Sequence, residues 1–377
     1  MKILTIFGTR PEAIKMAPLV SQLANTPGIQ SVVCTTGQHR SMLDQVMALF
    51  HIKADYDLDV MMSNQTLNGL SHRLLERLDP ILEEVKPDRV LVHGDTTSAM
   101  IAGIAAFQRG IPVGHIEAGL RTGNMRQPWP EEMNRRLVDV VSDVMFAPTV
   151  ESKRNLQAEN LSGRILVTGN TVIDALKTIT NQLATDKVMC AAVDARLPAL
   201  DQNRKVLLVT GHRRENFGRG FEDICDALAT LAQRDDIEIV YPVHLNPNVQ
   251  GPVRSTLGHL PRVHLIEPLD YLGFVRLMQR AHVILTDSGG VQEEAPSLGV
   301  PVLVMRDVTE RPEALAAGVV RLVGTSKQSI VQAVTALFDD SALWSQFSKV
   351  SNPYGDGKAS ERIIACLQGQ EVNEFAP

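Results

Sequence analysis

The chain has 377 residues, 44% of them hydrophobic and 21% charged, with a formal net charge of −6 and a pI near 5.9. That length exceeds one typical domain of about 150 residues, so two domains are expected. The acidic balance argues against a general nucleic-acid or membrane-surface binder, and leaves any anionic ligand to be held by local positive groups.

Short β-branched runs alternate with helical patterns along nearly the whole chain, which predicts parallel α/β construction. In the first half, strands are predicted near Lys2–Phe7, Gln30–Thr36, Arg89–His93, Val113–Ile116, Val144–Ala147 and Arg164–Val167. The intervening helices include Pro11–Ala24, whose proline suits a first turn, and Leu67–Val85 with Thr66 as its N-cap. A polar, weakly periodic stretch over 185–205 reads as the connection between halves, with a hinge near Gly169 as the alternative. Strands then follow near Val206–Thr210, Ile237–Tyr241, Val263–Ile266, Val283–Thr286, Val302–Met305 and Val319–Val323, and a last helix at Ala359–Leu367. The expected fold is α/β, with two Rossmann-like domains facing a cleft, residues 1–169 and 170–357. The apolar run before Gly8 is too short for a signal peptide or a membrane span. Cys34, Cys190, Cys225 and Cys366 are scattered, as reduced thiols in a cytosolic enzyme would be, and no metal-ligand spacing is visible.

Polar clusters recur where predicted strands end: Gly8-Thr9-Arg10, Gly94-Asp95-Thr96, Glu117-Ala118-Gly119, Gly211-His212-Arg213 and Asp287-Ser288-Gly289-Gly290. Five such tips on one side of parallel sheets make a composite site. Gly289 and Gly290 would let a phosphate approach the backbone, or Ser288 is simply the N-cap of a tight turn. Glu294 suits a ribose diol or a helix dipole, and Arg311 a phosphate or an internal ion pair. Arg10 and Lys15 can aim positive charge at a diphosphate. Asp95, Glu117, Glu131 and His212 are the acid–base candidates, although Asp95 could cap the helix beginning near Thr97, Glu131 could serve a dipole, and His212, flanked by Arg213 and Arg214, could instead be a phosphate donor. His93 and His115 read as satisfied structural histidines. No loop carries the Walker A pattern or the G-x-G-x-x-G dinucleotide fingerprint.

The ordered segments GTRPEAIKMAP, VHGDTTS, EAGLRTG, PWPEEMNRR, VTGHRRENFGRG, YPVHLNPNV, DSGGVQEEAPSLG, RDVTERPEA and NPYGDG closely resemble the non-hydrolysing UDP-N-acetylglucosamine 2-epimerase family. The resemblance spans most of the chain. It implies a glycosyltransferase-B-like fold with the C-terminal segment 358–377 packing back on the first domain, a homodimer, and the substrates UDP-N-acetylglucosamine and UDP-N-acetylmannosamine with UDP as the leaving group. Carried over by position, Arg10, Lys15, Asp95, Glu117 and His212 would contact or act on the substrate, and Glu131 would join the catalytic set. Leu269 and Phe274 would lie near the uridine, and Ser288, Gly289, Gly290, Glu294 and Arg311 would hold the nucleotide. An activating second substrate site, present in some members, would map near Gln38, His39, Arg40 and His244. Ser41 departs from the longer polar residue expected beside it.

Carbon 2 of such a sugar has no carbonyl neighbour to acidify its hydrogen. Without a dinucleotide fingerprint, the sequence favours expulsion of UDP over transient oxidation, with no cofactor, through 2-acetamidoglucal. The rival readings are a nucleotide-sugar glycosyltransferase, a hydrolysing epimerase and a non-catalytic nucleotide-sugar sensor.

Overall fold

A computed structural model of the chain describes residues 1–37, 40–62, 64–309, 311–349 and 351–377, with the side chains of 40–42 also left undescribed. It divides into two compact units, Met1–Lys177 with Tyr354–Pro377, and Thr178–Pro353.

The first unit alternates strands β1 (Lys2–Phe7), β2 (Gln30–Thr35), β3 (Tyr56–Asp57), β4 (Arg89–His93), β5 (Val113–Ile116), β6 (Val144–Ala147) and β7 (Arg164–Val167) with helices. These are α1 (Arg10–Ala24), α2 (Arg40–Leu49), α3 (Leu67–Val85), α4 (Thr97–Gln108), α5 (Glu131–Val141), α6 (Val150–Ala158) and α7 (Thr171–Thr185). The strands form one parallel sheet in the order β3-β2-β1-β4-β5-β6-β7, with Leu4 paired to both Val32 and Val90. Leu70, Leu74, Leu78 and Leu82 recur every fourth residue of α3, which puts them on one face. They are buried with Leu4, Ile6, Val90 and Val92 of the sheet. Each such side chain contributes about 1.5–3 kcal/mol by leaving water.

The second unit repeats the scheme with α8 (Lys187–Asp194), β8 (Lys205–Thr210), α9 (Arg219–Leu231), β9 (Ile237–Pro242), α10 (Pro247–Leu257), β10 (Val263–Ile266), α11 (Tyr271–Arg280), β11 (Val283–Thr286), α12 (Gly289–Glu294), β12 (Val302–Val304), α13 (Pro312–Ala316), β13 (Val320–Leu322), α14 (Lys327–Asp339) and α15 (Ser341–Ser348). Its parallel sheet runs β10-β9-β8-β11-β12-β13. Leu207, Val209, Ile239 and Leu285 pack there against Phe221, Ile224 and Leu228. The last helix, α16 (Ala359–Leu367), belongs to the first unit.

Several expectations needed revision. The stretch over 185–205, read as a connection, contains α8, capped by Asp186 through the amide of Met189. Of its apolar residues only Val193 is buried, so no periodic buried face marks it. Neither the two-residue β3 nor α2 was foreseen. The two compact units meet within α7, whose first turns are tied to the C-terminal segment. Asp174 accepts the amides of Ala359 and Ser360, at 3.2 and 2.7 Å, and Phe375 donates its amide to the Val167 carbonyl at 2.8 Å. No described helix is long and apolar enough to cross a membrane.

Candidate active site

In both sheets the strand order reverses at the first strand, between β1 and β4 and between β8 and β11. Crevices at the carboxyl ends of strands at such switch points are where open α/β sheets bind ligands. The polar clusters predicted from the sequence lie at these tips.

In the first unit, the loop after β1 is built for close approach. A Cβ on Gly8 would stand 1.7 Å from the Thr36 hydroxyl oxygen, so only glycine fits. Thr9 caps α1, and the buried Glu12 completes a capping box by accepting the amides of Gly8 and Thr9 at 3.0 and 2.7 Å. Burial raises the pKa of Glu12, and its other oxygen accepts the Thr96 hydroxyl at 2.6 Å, which links the β1 and β4 tips. Arg10 opens α1, and Lys15, on its second turn, pairs with Glu117.

Glu117 follows β5 in a left-handed conformation, φ +66°, which costs a non-glycine residue about 1 kcal/mol or more and is a mark of functional positions. Its side chain is 10% exposed. One carboxylate oxygen accepts from both Lys15 and Asn170, the latter at 2.7 Å, and lies 3.8 Å from Nε2 of His93. His93 is buried with neither ring nitrogen hydrogen-bonded. This corrects its reading as a satisfied structural histidine. Burial lowers its pKa to about 3, with Glu117 opposing the shift and Lys15 adding to it, so the ring is neutral at ordinary pH. His115 does fit the structural reading: Nδ1 faces Asp139 at 2.6 Å and Nε2 faces the Gly94 carbonyl at 2.8 Å.

Asp95 does not cap α4. Thr96 does, accepting the amide of Ala99 at 3.0 Å. The Asp95 carboxylate is instead held by Arg135 of α5, whose Nε lies 3.1 Å away, while Asn134 donates to the Asp95 carbonyl at 2.9 Å. Arg135 in turn contacts the fully buried Glu132 at 3.1 Å. Glu131 begins α5, four residues before Arg135, and makes no side-chain hydrogen bond among the described residues. α5 therefore brings Glu131 and the Asp95 clamp onto neighbouring positions of one helix face.

In the second unit, the tips of β8 and β11 are joined through Asp287, which is fully buried. Its Oδ2 accepts the amides of His212 and Arg213, both at 2.8 Å, and the Asn216 side chain at 3.3 Å. His212 is stacked on His244, with ring centroids 5.4 Å apart and planes at 17°. Burial lowers the pKa of His212, Asp287 opposes this, and His244 and Arg213 add to it.

Ser288 occupies the N-cap position of α12, yet its hydroxyl makes no capping bond. A Cβ on Gly289 would stand 3.7 Å from Nη2 of Arg311 and 4.0 Å from Nη2 of Arg213, so two guanidinium groups border this backbone. Of the alternatives weighed for Arg311, the internal ion pair is present, its Nε pairing with the buried Glu293, while its Nη2 borders the Gly289 backbone. Glu294 is buried and accepts the Tyr271 hydroxyl at 2.8 Å. Leu269 and Phe274, both half-buried, flank the start of α11.

His244, assigned to an activating site, thus lies directly against His212. Gln38 and His39 fall outside the described residues; Arg40 begins α2, but its side chain is likewise undescribed. Among the described residues no three His, Cys, Asp or Glu side chains are grouped to hold a metal ion. The sequence reading missed Glu12, Arg135, Asn170 and Tyr271 as participants, and placed Asp287 in a strand-tip cluster without giving it a role. Asn170 had a usable signal, since Gly169-Asn170 follows β7 as the other clusters follow their strands. Arg135 had another in its spacing from Glu131.

The family model described as UDP-N-acetylglucosamine 2-epimerase matches residues 21–368. The UDP-N-acetylglucosamine 2-epimerase of Escherichia coli (strain K12) is 56% identical over 375 residues, 99% of this chain and 100% of its own. Among solved structures, UDP-GlcNAc 2-epimerase from Neisseria meningitidis bound to UDP-GlcNAc aligns with a TM-score of 0.91 at 51% identity, covering 98% of this chain and 100% of that one. The Methanocaldococcus jannaschii UDP-GlcNAc 2-epimerase in complex with UDP-GlcNAc and UDP aligns at 0.81 and 32% identity, with coverage of 98% and 100%. The glycosyltransferase-B-like fold expected from the sequence is thereby confirmed. Matched along nearly its whole length, the chain belongs to the UDP-N-acetylglucosamine 2-epimerase family.

Proposed function

We propose that this chain, an isomerase, interconverts UDP-N-acetylglucosamine and UDP-N-acetylmannosamine by eliminating UDP across C1 and C2 and adding it back to the 2-acetamidoglucal. The observation that carries the mechanism is Glu117: a strained, nearly buried carboxylate at a strand tip, gripped by Lys15 and Asn170. A base so placed is pre-oriented to exchange a proton with the sugar. Glu117, Asp95 and Glu131 form the carboxylate set that removes the C2 proton and returns one to the opposite face. Arg135 fixes the direction of Asp95.

Departure of UDP builds negative charge on the diphosphate. Arg10, Lys15, His212 and Arg311, with the open backbone at Ser288, Gly289 and Gly290, supply the compensating donors. Glu294, oriented by Tyr271, receives the ribose hydroxyls, while Leu269 and Phe274 supply apolar surface for the uracil. We also propose that the protein works as a homodimer; a monomeric mass by light scattering would refute that.

Proton NMR of UDP-N-acetylglucosamine incubated with the protein in heavy water tests the reaction. Both epimers should acquire deuterium at C2. Retention of the original hydrogen there rejects proton transfer. Free N-acetylmannosamine with UDP selects the hydrolysing reading, and UDP release only when an acceptor is supplied selects a transferase.

A further inference from the structure

We propose that Asp287 is a positioning residue for His212, holding the imidazole as its Nδ1–H tautomer so that Nε2 is the nitrogen presented to the substrate. This rests on the assignment of His212 to the reacting site. The carboxylate is fully buried at the end of β11 and divides its two oxygens between two tasks. Oδ2 fixes the backbone of the β8 tip through the amides of His212 and Arg213 and the side chain of Asn216. Oδ1 makes no hydrogen bond and lies 3.3 Å from Nδ1 of His212. The backbone bonds place the imidazole within reach, and a small rotation of the ring completes an Nδ1–H donation to Oδ1.

An ionised carboxylate only accepts, so the nitrogen facing it must carry the proton. Nε2 is left on the open side, consistent with the 43% exposure of the His212 side chain. His244 stacks on one face of the ring and cannot replace Asp287 as an in-plane acceptor. The groups facing His212 are therefore Asp287 from β11, His244 from the loop after β9, and Arg213 from its own loop. Of these only Asp287 favours the imidazolium. For the departure of the diphosphate, the ring takes a second proton from solvent at Nε2 before substrate binds and donates it in a hydrogen bond to the leaving oxygen, while Asp287 at Nδ1–H stabilises the positive ring.

The test is Asp287→Asn. The amide oxygen can keep the Oδ2 bonds, but the amide nitrogen then faces Nδ1 and forces the opposite tautomer. The expected result is a fall in kcat of about 100-fold or more, with KM for UDP-N-acetylglucosamine and the Kd of UDP changed by no more than about threefold. The His212 titration, followed by imidazole NMR, should move to lower pH. An unchanged kcat overturns the proposal. So does a loss of kcat with the His212 titration unmoved, which marks Asp287 as a purely structural strut. If the variant does not fold, nitrogen NMR of the unaltered protein still decides: a neutral His212 protonated at Nε2 refutes the assignment. Absence of any epimer with the unaltered protein is a separate outcome, and it rejects the reaction and not the tautomer.

Discussion

Glu117→Gln separates charge and proton transfer from shape. In the wild type, one carboxylate oxygen accepts from both Lys15 and Asn170, and the side chains of Glu117 and Lys15 are only 10% and 14% exposed. A glutamine can put its amide oxygen in that position and satisfy both donors, so the local geometry should survive. What disappears is the negative charge facing Lys15 and the ability to exchange a proton. Losing a charged hydrogen-bond partner in such a site should cost about 1.5–3 kcal/mol of stability. Losing the acid–base group should lower turnover by about 10²–10⁴, or roughly 3–5 kcal/mol of barrier at about 1.4 kcal/mol per tenfold. The assay is epimer formation and C2 deuteration by NMR, beside UDP binding by calorimetry and urea unfolding. UDP affinity should stay within about threefold, because Lys15 keeps a hydrogen-bond partner in the glutamine and the other proposed ligands, among them His212, Ser288, Glu294 and Arg311, are untouched. Near-normal turnover would refute the role of Glu117. A parallel loss of UDP affinity would show that the variant had disturbed more than the carboxylate.

Three further expectations follow from the geometry. His93 keeps a folded pKa of about 3 against about 6.5 in the unfolded chain, so between those values the unfolded state binds the extra proton and stability falls as pH drops. From neutral pH to pH 5 the wild type should lose about 2 kcal/mol more than His93→Gln in urea unfolding, and parallel slopes for the two would contradict the burial argument. Gly8→Ala should destabilise the first unit by about 1–3 kcal/mol through overpacking, with Thr36→Ala restoring part of it because the 1.7 Å clash is with the hydroxyl. A melting series on the single and double variants checks this, and no rescue would place the strain elsewhere. Arg311→Gln should weaken UDP binding roughly tenfold or more, measured by calorimetry, since its outer nitrogen borders the Gly289 backbone. Unaltered affinity would leave Arg311 as only the partner of Glu293.

Much of this protein is written locally. β-branched runs of four to six residues, capping residues such as Thr66, and the leucines spaced by four in α3 declare the strands and helices because each pattern acts within one or two turns of chain. The motif series likewise carries the family and points to Lys15, Asp95, Glu117, His212 and Ser288, since strand tips are recognisable from a strand ending in glycine or a polar residue. α8 and β3 escaped because neither buries a periodic apolar face.

Partnership is another matter. That Glu117 meets Asn170 53 residues away, or that Asp287 holds the amide of a histidine 75 residues earlier, depends on the parallel order of strands and on which tips that order makes adjacent. Asp95 could have been a cap until the folded chain gave that task to Thr96 and handed its carboxylate to Arg135. His93 could have been satisfied until packing left both its nitrogens bare beside Glu117. Residue type and spacing select the chemistry that a chain can perform, because they are local properties. Which proton donor faces which acceptor is decided only when distant segments are packed together and water is removed.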